Sequence, residues 1–215
     1  MSGGPANLST VAASRRRMLV SAIVVVPPAI LVWLGLYHYS PEPVSFADPA
    51  GRLGFAFGWI AVATLLTLVS GIEAVAHERL FTPAIDPLAG AESRRLKINL
   101  RFLQNTLEQL AIFAPGLLLL AWYAADTAEL RAVTATAIVW IALRFVFWVG
   151  YHRSHELRTP GILGLVLSMS VLLLGTAHFG YEFGGWPGAV LPIAIFGGIE
   201  AYLVLVAVRA GREQL

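Results

Sequence analysis

Five polar side chains stand inside runs that are otherwise apolar: Glu73, Asn105, Glu108, Arg144 and Glu200. A charge at the centre of a bilayer costs about 2.5–3.5 kcal/mol on insertion scales, so intramembrane charges are candidates for function. At 1.5 Å per helical residue, Glu108 lies roughly 10 Å inside Arg101 and Arg144 roughly 10 Å inside Tyr151. The two depths match, and an ion pair between Glu108 and Arg144 on neighbouring helices is expected. Arg94, Arg101, Asn105 and Glu108 fall at i, i+7, i+11 and i+14, and so share one helical stripe. Arg144, Phe147 and Tyr151 fall at i, i+3 and i+7 and make a second stripe. Together they offer a carboxylate, an amide, a phenol and several guanidinium groups at one mouth. For Asn105 alone, interhelical glue is the better reading. Arg94, Arg101, Arg144, Arg153 and Arg158 near one mouth exceed what glue needs, which favours a ligand site.

The elements that position these residues are membrane helices. The chain has 215 residues, 57% hydrophobic and 13% charged, with a mean hydropathy of +0.72. Soluble chains average about 45–50% and 25%. A soluble domain of this size cannot hide so much apolar surface, which excludes a soluble enzyme, a disordered chain and a nucleic-acid binder. The chain has no Cys, so it offers no disulfide and no thiol nucleophile of its own, and its five His are scattered. No metal site is expected. Six stretches reach the roughly 20 residues a helix needs to cross the hydrocarbon. They are Met18–Tyr37, Leu53–Ala76, Leu100–Ala124, Leu130–Tyr151, Pro160–Gly180 and Pro187–Val208. Their apolar runs are continuous rather than alternating, so they read as helices and not barrel strands. Pro27-Pro28 is expected to kink the first, and Pro115 the third. The first reads as a retained helix, because its apolar run is too long for a signal peptide and no small-residue cleavage site follows.

Six spans place twelve of the fifteen Lys and Arg residues on the side of the two termini. Only Arg52 and Arg131 fall opposite, and Arg144 lies within a span. The positive-inside rule then sets both termini in the cytoplasm. Lesser features carry less. Gly54-x-x-x-Gly58 is a possible close helix contact. His77, His152 and His155 read as solvated at the cytoplasmic boundary, and His178 sits near the outer face.

Two local runs carry a resemblance. Gln104-Asn105-Thr106-Leu107-Glu108, with Arg101 four residues before the Asn, resembles the Asn-x-x-Glu signature of the MAPEG family (membrane-associated proteins in eicosanoid and glutathione metabolism). Arg144 followed by Gly150-Tyr151-His152-Arg153-Ser154-His155-Glu156-Leu157-Arg158 is similar to the Gly-Tyr-x-Arg-Ser-x-x-Leu-Arg run of its leukotriene synthase branch. The chain looks like a bacterial-type member, similar also to microsomal glutathione transferases. The resemblance implies an all-α integral membrane protein, with a MAPEG-like four-helix bundle over 53–180. One extra transmembrane helix would lie at each end, in 18–52 and 181–215, after a cytoplasmic tail over 1–17. It implies a homotrimer with glutathione as co-substrate. Arg101, Asn105, Glu108, Arg144, Tyr151 and Arg153 would bind it, and Arg158 would activate its thiol. Leu103 and Phe147 depart from the family pattern, standing where relatives carry Gln or His and where some carry Tyr.

The activity so implied is that of a glutathione transferase or peroxidase acting on lipophilic electrophiles or lipid hydroperoxides. A lipid-binding or scaffold protein of the same family is the alternative, and a small transporter or channel a third. The third is disfavoured by the absence of a repeat and by charges confined to one leaflet. The other expected partners are membrane lipids and a lipophilic second substrate. The strong preference for Arg over Lys suggests a GC-rich bacterial genome, hence an inner membrane.

Overall fold

The computed structural model describes residues 8–154, 157 and 159–213, and every regular element among them is helical. Helix α1 spans Leu8–Tyr39 and continues through Pro27 and Pro28. Helix α2 spans Pro49–Leu80. Pro49 suits its first turn, and the Asp48 side chain accepts from Gly51 N at 3.0 Å as the cap. Midway, Thr64–Val69 widens into a π-turn. There the Thr64 and Thr67 hydroxyls donate to the carbonyls of Ile60 and Ala63, at 2.8 and 2.7 Å. Helix α3, Arg94–Trp122, is capped by Ser93, whose Oγ accepts from Leu96 N. Helix α4 spans Arg131–Arg153. The final run, Thr159–Glu213, is broken by non-helical Gly184 and Gly185. Gly185 has φ +62°, a conformation glycine adopts without steric cost. The break divides the run into α5 (159–183) and α6 (186–213).

Each expected span falls on one of these six helices, overrunning its end by at most two residues. By length and composition, Val20–Tyr39, Pro49–Leu80, Arg131–Arg153 and Thr159–Gly211 can each cross a membrane. Helix α3, with 29 residues, is long enough but carries Arg101, Gln104, Asn105, Glu108 and Gln109 in its first half. Of that polar load Gln109 is buried and Asn105 half-buried in the bundle, while Arg101, Gln104 and Glu108 are exposed.

Helix α3 packs against α2, α4 and α5. The core joins Phe113, Leu117 and Ala121 of α3 to Val133, Ala137 and Trp140 of α4 and Ala56 and Ala63 of α2. Phe113 and Trp140 stack with ring centroids 4.5 Å apart. Apolar burial gives little drive in lipid, so close packing through small residues must supply it. Gly116 does so: a Cβ there would sit 2.9 Å from Leu172 N on α5. Gly54 and Gly58, by contrast, face open space. Helix α1 lies on α4, tied by a Trp33 Nε1 hydrogen bond to Thr136 Oγ1 at 3.0 Å. Beyond the close approach of Gly180 and Gly188, most of α6 is exposed.

Candidate functional site

Arg144 is fully buried, and among the described residues its charge is met by dipoles rather than by a carboxylate. Nη1 donates to Asn105 Oδ1 at 2.7 Å and Nη2 to the Gly161 carbonyl at 2.9 Å. The guanidinium lies 5.0 Å from the Phe147 ring centroid and 5.8 Å from that of Trp140, within cation–π range. Gln109 Nε2 binds the same two acceptors, Gly161 O at 2.7 Å and Asn105 Oδ1 at 3.2 Å. Two glycines admit this knot of side chains. A Cβ at Gly161 would lie 2.9 Å from the Phe147 ring, and one at Gly164 would lie 3.1 Å from Arg144 Nη2. Arg144 Nε and Gln109 Oε1 are buried without a hydrogen-bond partner among the described residues.

The expected Glu108–Arg144 ion pair is not formed. Glu108 is exposed and accepts from Gln104 Nε2 at 3.0 Å, while Gln104 Oε1 accepts from Arg101 Nη1 at 3.2 Å. The cause is azimuth. Three residues turn the helix through roughly 300°, which leaves Glu108 about 60° round the axis from Asn105, enough for Asn105 to face α4 and α5 while Glu108 lies on the exposed side of α3. The equal depth inferred from residue number does not fix that rotation.

Arg101, Asn105, Gln109, Phe147 and Tyr151 line a crevice of about 270 Å³ between α3, α4 and α5. A second crevice, about 400 Å³, continues past Arg101 and Tyr151 to Arg94 and Lys97. Tyr151 is half-buried and stacks on Phe147, centroids 5.6 Å apart. Of the expected binding residues, then, Arg101, Asn105 and Tyr151 share one cavity, with Arg144 behind Asn105. Arg153 does not join them: it lines a separate crevice with Ser21 and Val25 of α1. Two residues along a helix is a rotation of about 200°, which carries it to the other side of α4. Arg158 and His155 lie outside the described residues. Leu103 packs on the cluster of Val75, Ala84 and Leu96, away from the crevice.

Two structural residues were not singled out from the sequence. Gln109 is one, marked only as an amide one turn beyond Asn105. The buried Asn99 is the other. Its Oδ1 accepts from Trp148 Nε1 at 2.9 Å and lies 3.0 Å from His152 Nε2, and its Nδ2 donates to Glu78 Oε2 at 3.2 Å. Glu78 in turn pairs with Arg95 and accepts from Ser93. His152 is therefore half-buried in a polar clamp rather than solvated. Glu73 pairs with His77 at 3.6 Å.

These features define a helical membrane protein with a cationic, amide-lined cavity near one end of its bundle. The model of the MAPEG family matches residues 53–178, more than half of the chain. The chain belongs to the MAPEG family, a membrane-bound, glutathione-related family. It is also 35% identical to an uncharacterized protein of Synechocystis sp. over 118 residues, 54% of this chain and 80% of that protein. No solved structure gives a significant match.

Proposed function

We propose that this protein is a membrane-embedded glutathione transferase or peroxidase acting on lipophilic electrophiles or lipid hydroperoxides. The observation that carries the reading is the crevice beside Arg144. Glutathione presents two carboxylates, an ammonium and a thiol. Arg101, exposed on one side and engaged only through Nη1 with Gln104 among the described residues, is placed to fork onto a carboxylate. Arg144 and Gln109 occupy Asn105 Oδ1, which leaves Asn105 Nδ2 to donate outward. Tyr151 adds a phenolic hydroxyl at the rim. Glu108 takes the ammonium and Arg153 the second carboxylate. Arg158 holds the ionised thiol, whose proton leaves to water. With an electrophile, sulfur bonds the electrophilic carbon as the bond to the leaving group breaks, and that group (a halide, for an aryl halide) departs to water. With a hydroperoxide, sulfur takes the terminal oxygen as the O–O bond breaks, the alkoxide takes a proton from water, and a second glutathione turns the sulfenic acid into disulfide and water.

Glu108 and Arg153 face away from the crevice of their own protomer, so this assignment requires subunits to share sites. A homotrimer meets that need. It is also supported by the exposed Arg101–Gln104–Glu108 ladder, which lipid cannot solvate and a neighbouring subunit can. Residues 53–180 form the shared core, with α1 and α6 as additions. Both termini face the cytoplasm of a bacterial inner membrane, following the arginine asymmetry. The test is turnover in liposomes with glutathione and either a lipophilic aryl halide or a fatty-acid hydroperoxide. Turnover with one of them supports the proposal; inactivity with both, in protein that binds glutathione, favours a lipid-binding or scaffold role.

A further inference from the structure

A further cavity, about 500 Å³, opens at the other end of the bundle, between α1 and α5 over a floor of α3 and α4. We propose that it binds an amphiphile with an ammonium head and an apolar body. The size is that of a small-molecule site. Leu120, Leu167, Val171 and Leu174 give its depth an apolar lining, and a hydrocarbon gap in a bilayer fills with apolar chain rather than water. Its mouth is aromatic and acidic. On one wall Trp33 stacks on Tyr37, ring centroids 5.3 Å apart; on the other Tyr123 stacks on His178 at 5.2 Å.

Glu129 lines the same mouth, with Oε2 accepting from Ala125 N at 2.7 Å and Oε1 without a partner among the described residues. Tyr123 donates its hydroxyl to Glu182 at 3.3 Å. The two arginines of this end do not neutralise these acids. Arg131 pairs with Glu42, and Arg52 donates to the carbonyls of Ala47 and Ala124. Carboxylates beside aromatic faces, with no cation committed to them, are the chemistry that recognises an ammonium group. Helix α1 lies outside the stretch that matches the family, so one wall of this site is an addition to the shared core. The site is independent of the glutathione reading.

The test uses the full chain in phosphatidylglycerol nanodiscs with a photoreactive diazirine hexadecylamine, alongside the matched alcohol and carboxylic acid. Crosslinks are mapped by mass spectrometry and normalised to those on the exposed α6. The amine should label the segments around Trp33 and Leu174 about fivefold or more above the other two probes. Glu129→Gln removes the charge, and Leu174→Trp fills the cavity without touching a charge. Each should cut that labelling by about fivefold, with the size-exclusion profile and glutathione titration of the parent retained. Competition by added phosphatidylethanolamine would assign the head to a membrane lipid, and its failure to a free amphiphilic amine. Equal labelling by the three probes, or amine labelling that survives both variants, would overturn the proposal.

Discussion

Arg144 sets the character of the candidate site. A buried guanidinium without a carboxylate is costly, and here two carbonyl acceptors and two ring faces offset the lost hydration. Removing one acceptor leaves part of that charge unmet. Hydrogen bonds to charged groups contribute about 1.5–3 kcal/mol, so Asn105→Ala should destabilise by about that amount. The same change in an Arg144→Leu background should cost far less. Glu108→Ala should instead be additive with Arg144→Leu, because the two side chains do not meet within a protomer. Unfolding of the detergent-solubilised variants in a double-mutant cycle measures both couplings. Arg158 calls for a kinetic test. A thiol of ordinary pKa, about 8.5, is only a few per cent ionised at pH 7, and an adjacent guanidinium favours the ionised form. Its removal raises the thiol pKa, so the rising limb of the pH–rate profile moves to higher pH. Arg158→Ala should lower kcat tens- to hundreds-fold while glutathione affinity stays within a few-fold. An unchanged profile and turnover would reduce Arg158 to a lipid-phosphate contact.

Between helices, glycine decides how close two backbones come. At Gly116 an added methyl meets the Leu172 backbone, which cannot rotate away. Gly116→Ala should destabilise by about 1–3 kcal/mol through overpacking, whereas Gly58→Ala, in open space, should change stability by about 0.5 kcal/mol or less. Thermal unfolding of the two variants checks the contrast. The helices themselves were legible because hydropathy accumulates over some twenty residues and loop signals bound each run. Helix α3 was legible as one long helix despite its polar load, and so was the convergence of Asn105 and Arg144, with Arg101 beside Asn105 on one crevice. Position along each helix axis was legible too, since it grows linearly with residue number. Rotation about the axis was not: a stripe fixes which residues share a face, and only the neighbouring helices fix where that face points. That is why Glu108 was expected on Arg144 and Asn105 is found there. The roles of Gly161 and Gly164 were hidden for a related reason, since an absent Cβ matters only once the facing side chain is known.

A single protomer leaves the Arg101–Gln104–Glu108 face of α3 exposed, and much of α6 as well. Assembly is the natural remedy for the first. Gln104→Leu/Glu108→Leu makes that face compatible with lipid, and should shift native mass spectra from trimer toward monomer on about tenfold dilution. An unchanged trimer would place the subunit contact elsewhere. The two ends of the bundle differ in chemistry: arginines and amides line the crevices at one, aromatic rings and carboxylates the mouth at the other. The glutathione reading belongs to the first. Titration calorimetry of the purified protein with glutathione addresses it without needing to know the second substrate. The crevice beside Arg144 predicts saturable binding, weakened about tenfold or more by Arg101→Ala and by Asn105→Ala. Absence of binding heat with correctly assembled protein, or affinity untouched by both substitutions, would contradict it.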